Sequence, residues 1–338
     1  LIYDLFREYY LIQNRNIFLK MDKEYYYHAG KYRSNFVSLI EDNIKDYFKE
    51  RIVEDGFKRG FKGNWGSDEH TKRLGIVQDV NRLSWFTFMS HLRKLILPIE
   101  ASSKAVGPHL LHTSQWGFLD PLDSPDGANI GVHNHLSISA NISSGYSATP
   151  LIKWLRANTP LKLLQECTPQ YMGANTKVFV NGAWIGVLDN PIETVEVLKL
   201  FRRNGIIPLH TSITFNYSAN VIYLYTDAGR LVRPIFFREK DGKISLDKEK
   251  VIQYIESNEF KWLDLVSGFY RKKDEEFHPR NNRLYNNIND LYGKEFASLK
   301  ELLEFFDENK GIIDYVDSSE EESMLIASSP EDLATNKY

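Results

Sequence analysis

Between Asn35 and Val53, apolar residues fall at Phe36, Leu39, Ile40, Ile44, Tyr47, Phe48 and Ile52. Steps of three and four draw one stripe along a helix, and Gly56 follows near its end. From Gly56 to Gly75, the glycines Gly60, Gly63 and Gly66 alternate with Lys58, Arg59, Lys62, Lys72 and Arg73. That mixture predicts a basic, glycine-punctuated loop. A second helical pattern runs through Val77, Val80, Leu83, Phe86, Met89 and Leu92 and stops before Pro98. Residues 99–135 lose the period and hold Pro108, Pro121 and Pro125, so loops and short strands are predicted. Asn181-Gly182 separates the β-prone runs Lys177–Val180 and Ala183–Val187. Asn-Gly there predicts a hairpin, because a type I′ turn needs positive φ twice. Glu193 to Arg203 reads as a helix stopped by Gly205. Val221 to Tyr225 reads as a strand, Asp227-Ala228-Gly229 as a turn, and Leu231 to Phe237 as another strand. Charged helical segments follow over residues 239–310, interrupted at 271–290 by a polar stretch that reads as a mobile insertion.

The chain is expected to be α+β and multidomain, and its 338 residues allow about two or three domains. The net charge of -3 argues, taken alone, against a nucleic-acid binder. Its distribution changes that picture. Residues 301–338 hold 2 basic and 11 acidic residues, which leaves 40 basic and 34 acidic residues before them. Residues 51–110 carry 10 basic and 6 acidic residues, a modest surplus that suits contact with a phosphate backbone. A single cysteine, Cys167, excludes an intramolecular disulfide framework and any cysteine-rich zinc site. No run of about 18 apolar residues exists, so no membrane-spanning helix is expected. The chain opens without Met, directly into an apolar-periodic segment, and is expected to be a non-secreted piece of a longer protein.

Two clusters invite enzymatic readings. His133-Asn134-His135 on a strand would put both rings on one face, and His109 or His112 with Asp120 would complete a metal set. The plainer alternative has these histidines bonding backbone or facing nucleic acid. Asp120, Asp123 and Asp126 could pair for acid–base chemistry of the glycosidase kind. Pro121 and Pro125 instead favour a rigid acidic turn through Ser124-Pro125-Asp126-Gly127. Ser90-His91-Leu92-Arg93-Lys94 ends a helix, either as a cap or as a phosphate-facing tip with Lys104 beyond it. Arg202-Arg203 and the pair Arg230 and Arg233 read as solvated cations or partners of nearby acids. No GxxxxGK[ST], GxGxxG or HExxH pattern is present.

Longer strings carry more information. Gly63-Asn64-Trp65-Gly66, Asn81-Arg82-Leu83-Ser84, Ser90–Lys94, Leu111–Gly117 and Pro121–Gly127 resemble the fork region of the second-largest subunit of multisubunit DNA-directed RNA polymerase. Val178–Trp184 with Thr226–Arg230 and Arg233–Phe236 is similar to that family's external region. Tyr315-Val316-Asp317, Glu320–Ala327 and Pro330–Leu333 match a specific string near that region's end. The resemblance covers residues 63–333, and residues 1–62 fit the end of the protrusion. The strings are most similar to those of eukaryotic nuclear enzymes and their relatives in large nucleocytoplasmic DNA viruses, and Ser124-Pro125-Asp126-Gly127 with Ala101-Ser102-Ser103-Lys104 leans towards the viral branch.

What the resemblance implies is concrete. Residues 1–62 would form the C-terminal part of the protrusion, 63–145 the fork, 146–237 external region 1 and 238–338 external region 2. Two fork loops, about Ser67–Leu74 and Ile99–Gly107, would sit at the downstream edge of the transcription bubble. There Ala105 and Val106 would supply an apolar wedge, and Lys104 would face phosphate. Arg93 matches the first arginine of the family's His-x-Arg-Arg, with Lys94 replacing the second. His109 stands where an arginine is usual, and Asp126 where a glutamate is usual near the active centre. Partners would be the largest and smaller polymerase subunits, template and non-template DNA and nascent RNA, in the nucleus or a cytoplasmic viral factory or virion. Catalytic Mg²⁺ would be held by the largest subunit, the zinc site would lie outside this chain, and the chain alone would be inactive. Glu320-Glu321-Glu322 would face outward, away from DNA. Two alternatives compete: a stand-alone metal- or carbohydrate-active enzyme, and a repurposed nucleic-acid or protein binding module.

Overall fold

The computed structural model describes residues 1–33, 35–68, 72–73, 75–99, 104–239, 242–247, 252, 256, 262–268, 295–327 and 329–335. The polar stretch 271–290 and parts of both expected fork loops lie outside the described residues. The chain divides into two compact units, Leu1–Leu92 and Arg93–Tyr338, so the expected fork region 63–145 contributes to both.

The first unit is helical: α1 (Ile2–Tyr27), α2 (Ala29–Tyr32), α3 (Val37–Tyr47), α4 (Ile52–Phe61) and α5 (Trp85–Leu92). The stripe predicted from Asn35 to Val53 is split, because α3 ends at Tyr47 and a new helix starts at Ile52. Gly56 and Gly60, predicted to lie in a loop, are inside α4. Four residues apart, they share a helix face, and α1 lies directly on it. A Cβ on Gly56 would stand 2.4 Å from the Tyr9 ring, and one on Gly60 2.8 Å from Leu5 Cδ2. The glycines are therefore contact points, not breaks. Tyr9 donates its hydroxyl to Gly66 O at 3.1 Å, and Leu5, Tyr9 and Trp65 form the buried cluster. The helix predicted from Val77 begins only at Trp85, since Ser84 caps it. Thr87 N donates to Ser84 Oγ at 3.2 Å, while Ser84 N donates to Thr87 Oγ1 at 2.8 Å.

In the second unit, β1 (Lys94–Ile96) pairs antiparallel with β2 (His133–His135). After β3 (Asn141–Ile142) and α6 (Thr149–Asn158), a five-stranded sheet is built. It contains β4 (Lys162–Leu163), β5 (Thr176–Val180), β6 (Ala183–Leu188), β7 (Ser212–Asn216) and β8 (Val221–Tyr225), in the order β4-β6-β5-β8-β7. Only the β5–β8 pair in it is parallel. Helix α7 (Pro169–Ala174) precedes β5 and α8 (Pro191–Arg203) follows β6. The predicted hairpin is present: Asn181 has φ 49° and Gly182 φ 81°, joining β5 to β6.

A third sheet places β9 (Leu231–Phe236) between β10 (Ile313–Asp317) and β3. β3 reaches only Leu231 and Val232, so Pro234, which lacks an N–H, sits where β9 pairs on one side. Helices α9 (Trp262–Ser267), α10 (Leu299–Asn309), α11 (Ser318–Glu322) and α12 (Pro330–Thr335) complete the described chain. The main core joins Val178, Ile222 and Leu224 of the sheet to Leu198 and Phe201 of α8 and Phe306 of α10. Phe201 meets Phe306 edge-on at 5.4 Å between ring centroids. The architecture is α+β.

Candidate functional site

The segment singled out for nucleic acid leaves the second unit from β1. Lys104, Ala105 and Val106 are exposed, Val106 at 67%. Both ends of their segment are tied to the chain around β2. Leu97 N donates to Val132 O at 2.9 Å, and His109 Nδ1 bonds Ile130 O at 2.8 Å. Gly131, at φ 72°, lets the two strands of this stem touch: a Cβ there would lie 2.7 Å from His109 O. His109 thus works as a brace at the base of the segment.

Arg93 donates to the backbone carbonyls of Ser137 and Ala140, the latter at 3.2 Å. Those bonds hold the turn after β2 against the start of β1. Lys94 lies opposite His135 in the β1–β2 ladder. Asp126 is exposed at the start of the short turn Gly127–Asn129. The seven residues therefore do not converge on one point: Lys104–Val106 form the tip, Arg93 and His109 the base, and Asp126 lies on a separate turn.

The histidine and aspartate clusters resolve into local bonding. His133 and His135 share a face of β2, as the strand period requires. His135 Nδ1 bonds the Asp123 backbone carbonyl at 2.7 Å and lies 3.3 Å from Asp123 Oδ2. His112 Nδ1 accepts from Ser114 N at 3.2 Å. Asp120 Oδ1 accepts from Leu122 N at 2.9 Å and Asp123 N at 3.4 Å, which closes a turn just before the one predicted at Ser124–Gly127. Burial, reinforced by Lys94 and His135, holds His133 below the ordinary histidine range. Among the described residues, no three His, Cys, Asp or Glu side chains gather as a metal ion would need. The donor set does not fit a resident metal here.

Three blocks distant in sequence do converge. A cleft of about 410 Å³ is walled by Ser114, Phe118, Tyr225, Arg230, Asp317 and Ser319. Arg230 is spent on its surroundings: Nε bonds Asp227 Oδ1, Nη1 bonds Asp317 Oδ2 and Nη2 bonds His210 O, each at 2.8 Å. Asp317 Oδ1 also caps α11 by accepting from Glu320 N at 2.9 Å.

Beneath lies an ionic core. Arg202 is 1% exposed and Glu320 0%. Their two parallel bonds measure 2.7 and 2.9 Å. Arg203 Nη2 reaches Asp314 Oδ2 at 2.7 Å, and Lys199 Nζ lies 3.7 Å from Glu320 Oε1. Burial alone would lower Arg202 and raise Asp314. For Arg202, Glu320 and Asp314 outweigh burial and hold it above its ordinary value; for Asp314, Arg203 and Arg202 hold it below. Lys199 moves down, because burial prevails over Glu320.

This arrangement corrects the outward-facing expectation for Glu320 and Glu321, while Glu322 of the same string is exposed. Glu320 is a core carboxylate, and Arg202-Arg203 are its interior counterions and those of Asp314. Sequence reasoning missed that pairing, since arginine and acid are separated by more than a hundred residues.

Residues 78–142, 178–239 and 304–338 match, in that order, the family models for domains 3, 4 and 5 of RNA polymerase Rpb2. The chain belongs to the family of second-largest subunits of multisubunit DNA-directed RNA polymerases. Among particular relatives, DNA-directed RNA polymerase II subunit RPB2 of Schizosaccharomyces pombe is 29% identical over 342 residues, covering 96% of this chain and 24% of that protein. The protein of the same name from Encephalitozoon cuniculi is 35% identical over 240 residues, 70% of this chain and 21% of that one. DNA-directed RNA polymerase subunit 2 of Acanthamoeba polyphaga mimivirus is 29% identical over 241 residues, 69% and 20% respectively. The chain thus spans about a quarter or less of the length of these relatives. No described helix is long and apolar enough to cross a membrane.

Proposed function

We propose that this chain acts within a DNA-directed RNA polymerase that makes RNA on a DNA template, as part of its second-largest subunit. The observation carrying this reading is the ordered match to three successive domains of one subunit family. In it, residues 63–145 act as the fork, 146–237 and 238–338 as external regions, and 1–62 as the end of the protrusion. The exposed Lys104–Val106 tip supports a role at the downstream bubble edge. A cation there can hold displaced phosphate, and a small apolar pair can press against an unstacked base. Arg93 and His109 carry the tip, with Lys94 and Asp126 beside the active-centre cleft. Catalytic Mg²⁺ belongs to the largest subunit in this scheme, where two ions would bridge attacking and leaving oxygens. The chain by itself then has no polymerase activity, and its partners are the other subunits, both DNA strands and the transcript. It works in a nucleus or a viral factory.

Affinity capture of the tagged full-length subunit from its own cells or infected host, followed by mass spectrometry, tests the reading. Recovery of a largest subunit in equal amount, with primer-extending activity in the same fraction, is the expected result. A subunit recovered free of any largest subunit would instead make it a repurposed binding module.

A further inference from the structure

A chain of contacts runs from α11 to the base of the exposed segment through residues on four separate stretches. Arg233, on β9, pairs with Glu321 of α11 by two bonds, Nε to Oε2 at 3.0 Å and Nη2 to Oε1 at 2.7 Å. Both side chains are largely buried, at 16% and 15% exposure. The guanidinium then covers Gly117: a Cβ on that residue would stand 2.6 Å from Nη1 and 2.8 Å from Cδ of Arg233. Gly117 sits at φ 81°, so glycine is favoured there by backbone and space alike. The same guanidinium lies 5.6 Å from the centre of the Phe118 ring.

Gly117 O accepts from Ser137 Oγ, and Ser137 N donates to Phe118 O at 3.0 Å. Ser137 O in turn accepts from Arg93, the residue preceding β1, and Leu136 N donates to Arg93 O at 3.0 Å. β1 feeds the segment that carries Lys104–Val106. Neither Arg233 nor Glu321 touches that tip. Both fix the platform from which it departs.

Given the polymerase role proposed above, we infer that Arg233 and Glu321 are positioning residues that aim the Lys104–Val106 tip at the downstream bubble edge. The planar, two-point pairing matters as much as the charge, because a lysine could bond Glu321 without covering Gly117. Opposite charge alone would leave the Gly117 turn uncovered, and the platform would be free to tilt.

The test uses assembled polymerase containing the full-length subunit on a DNA–RNA scaffold, with a fluorescent base analogue in the non-template strand at the downstream edge. Arg233→Lys and Glu321→Gln are compared with wild type, alongside subunit composition and the melting midpoint of the enzyme. A change in analogue fluorescence of about twofold or more in both variants, in enzyme of normal composition, is expected. Unchanged fluorescence with only a lowered melting midpoint makes the pair merely structural and overturns the inference. Should either variant fail to assemble, Gly117→Ala gives the same reading, since it displaces the guanidinium while leaving both charges in place. Replacing Lys104, Ala105 and Val106 by glycine separates the two levels. If that change leaves fluorescence as in wild type, the bubble-edge role of the tip falls, and the positioning role with it. If it alters fluorescence while the Arg233 and Glu321 variants do not, only the positioning role falls.

Discussion

In residues 1–92 the ion pairs stand in water: Lys31–Asp42 and Lys58–Glu54, both at 2.8 Å, join exposed side chains. More large apolar side chains are exposed there than in the whole described remainder of the chain. Residues 93–338 reverse both features, with a broad apolar core around Phe306 and, beside it, an arginine–carboxylate group closed to solvent. A surface pair in high dielectric contributes little and can exchange partners freely. A buried pair is different, because removing one member strands the other without water. In the second unit charge therefore specifies which segments meet: α8, β10 and α11 come together where Arg202, Asp314 and Glu320 do. The first unit relies on close approach of α1 and α4 at Gly56 and Gly60.

Glu320→Gln is the strongest way to break this contrast. It removes the charge beneath Arg202 and leaves that guanidinium buried without its main counterion. A loss of about 3–5 kcal/mol is expected in denaturant unfolding. Amide exchange should accelerate in β7, β10 and α11 while α1 and α4 keep their protection. Equal acceleration in both units would erase the distinction.

Gly56→Ala attacks the other side. The new methyl would need the Tyr9 ring to move, and overpacking of this kind costs about 1–3 kcal/mol. Exchange in α1 and α4 should rise and the second unit should be unaffected. Protection unchanged in both helices would mean that α1 yields at no cost, and that the glycine is not a contact point.

The same contrast explains what the sequence made legible. Local rules succeeded where local chemistry decides: Asn181-Gly182 turns the hairpin, Val221–Tyr225 is a strand, and Gly205, at φ 69°, ends α8. They failed at Gly56 and Gly60, because a glycine needed for helix contact is indistinguishable in sequence from one that breaks a helix. They failed again at Val77–Ser84, where the apolar period continues but Ser84 supplies the cap. Of the expected site, the Lys104–Val106 segment was readable only through the family resemblance, and its exposure fits that reading. The brace at His109 and the use of Arg93 on carbonyls depend on residues far along the chain. So does the ionic core. A tally of charge by segment assigned the acidic end to the surface, although Glu320, Asp314 and Asp317 are interior.

Acidification is the gentlest test and the most selective one. Asp314 is held below the ordinary carboxylate value of 3.8 by Arg203 and Arg202, against burial. The unfolded chain therefore takes up this proton first as pH falls. The stabilising contribution is complete above about 3.8 and is lost as pH drops through that value towards the lower one of the folded state. Glu54 is also lowered, by Lys58, but on an exposed surface where salt screens the attraction. Unfolding of the second unit, followed by amide exchange below pH 4, should then keep its acid sensitivity at high salt. That of the first unit should weaken. Asp314→Asn should flatten the pH dependence of the second unit whatever its effect on overall stability, since the titrating group is gone. A pH slope that survives this substitution, or that salt abolishes in the second unit, would place the acid-sensitive charge at the surface in both halves and remove the distinction between them.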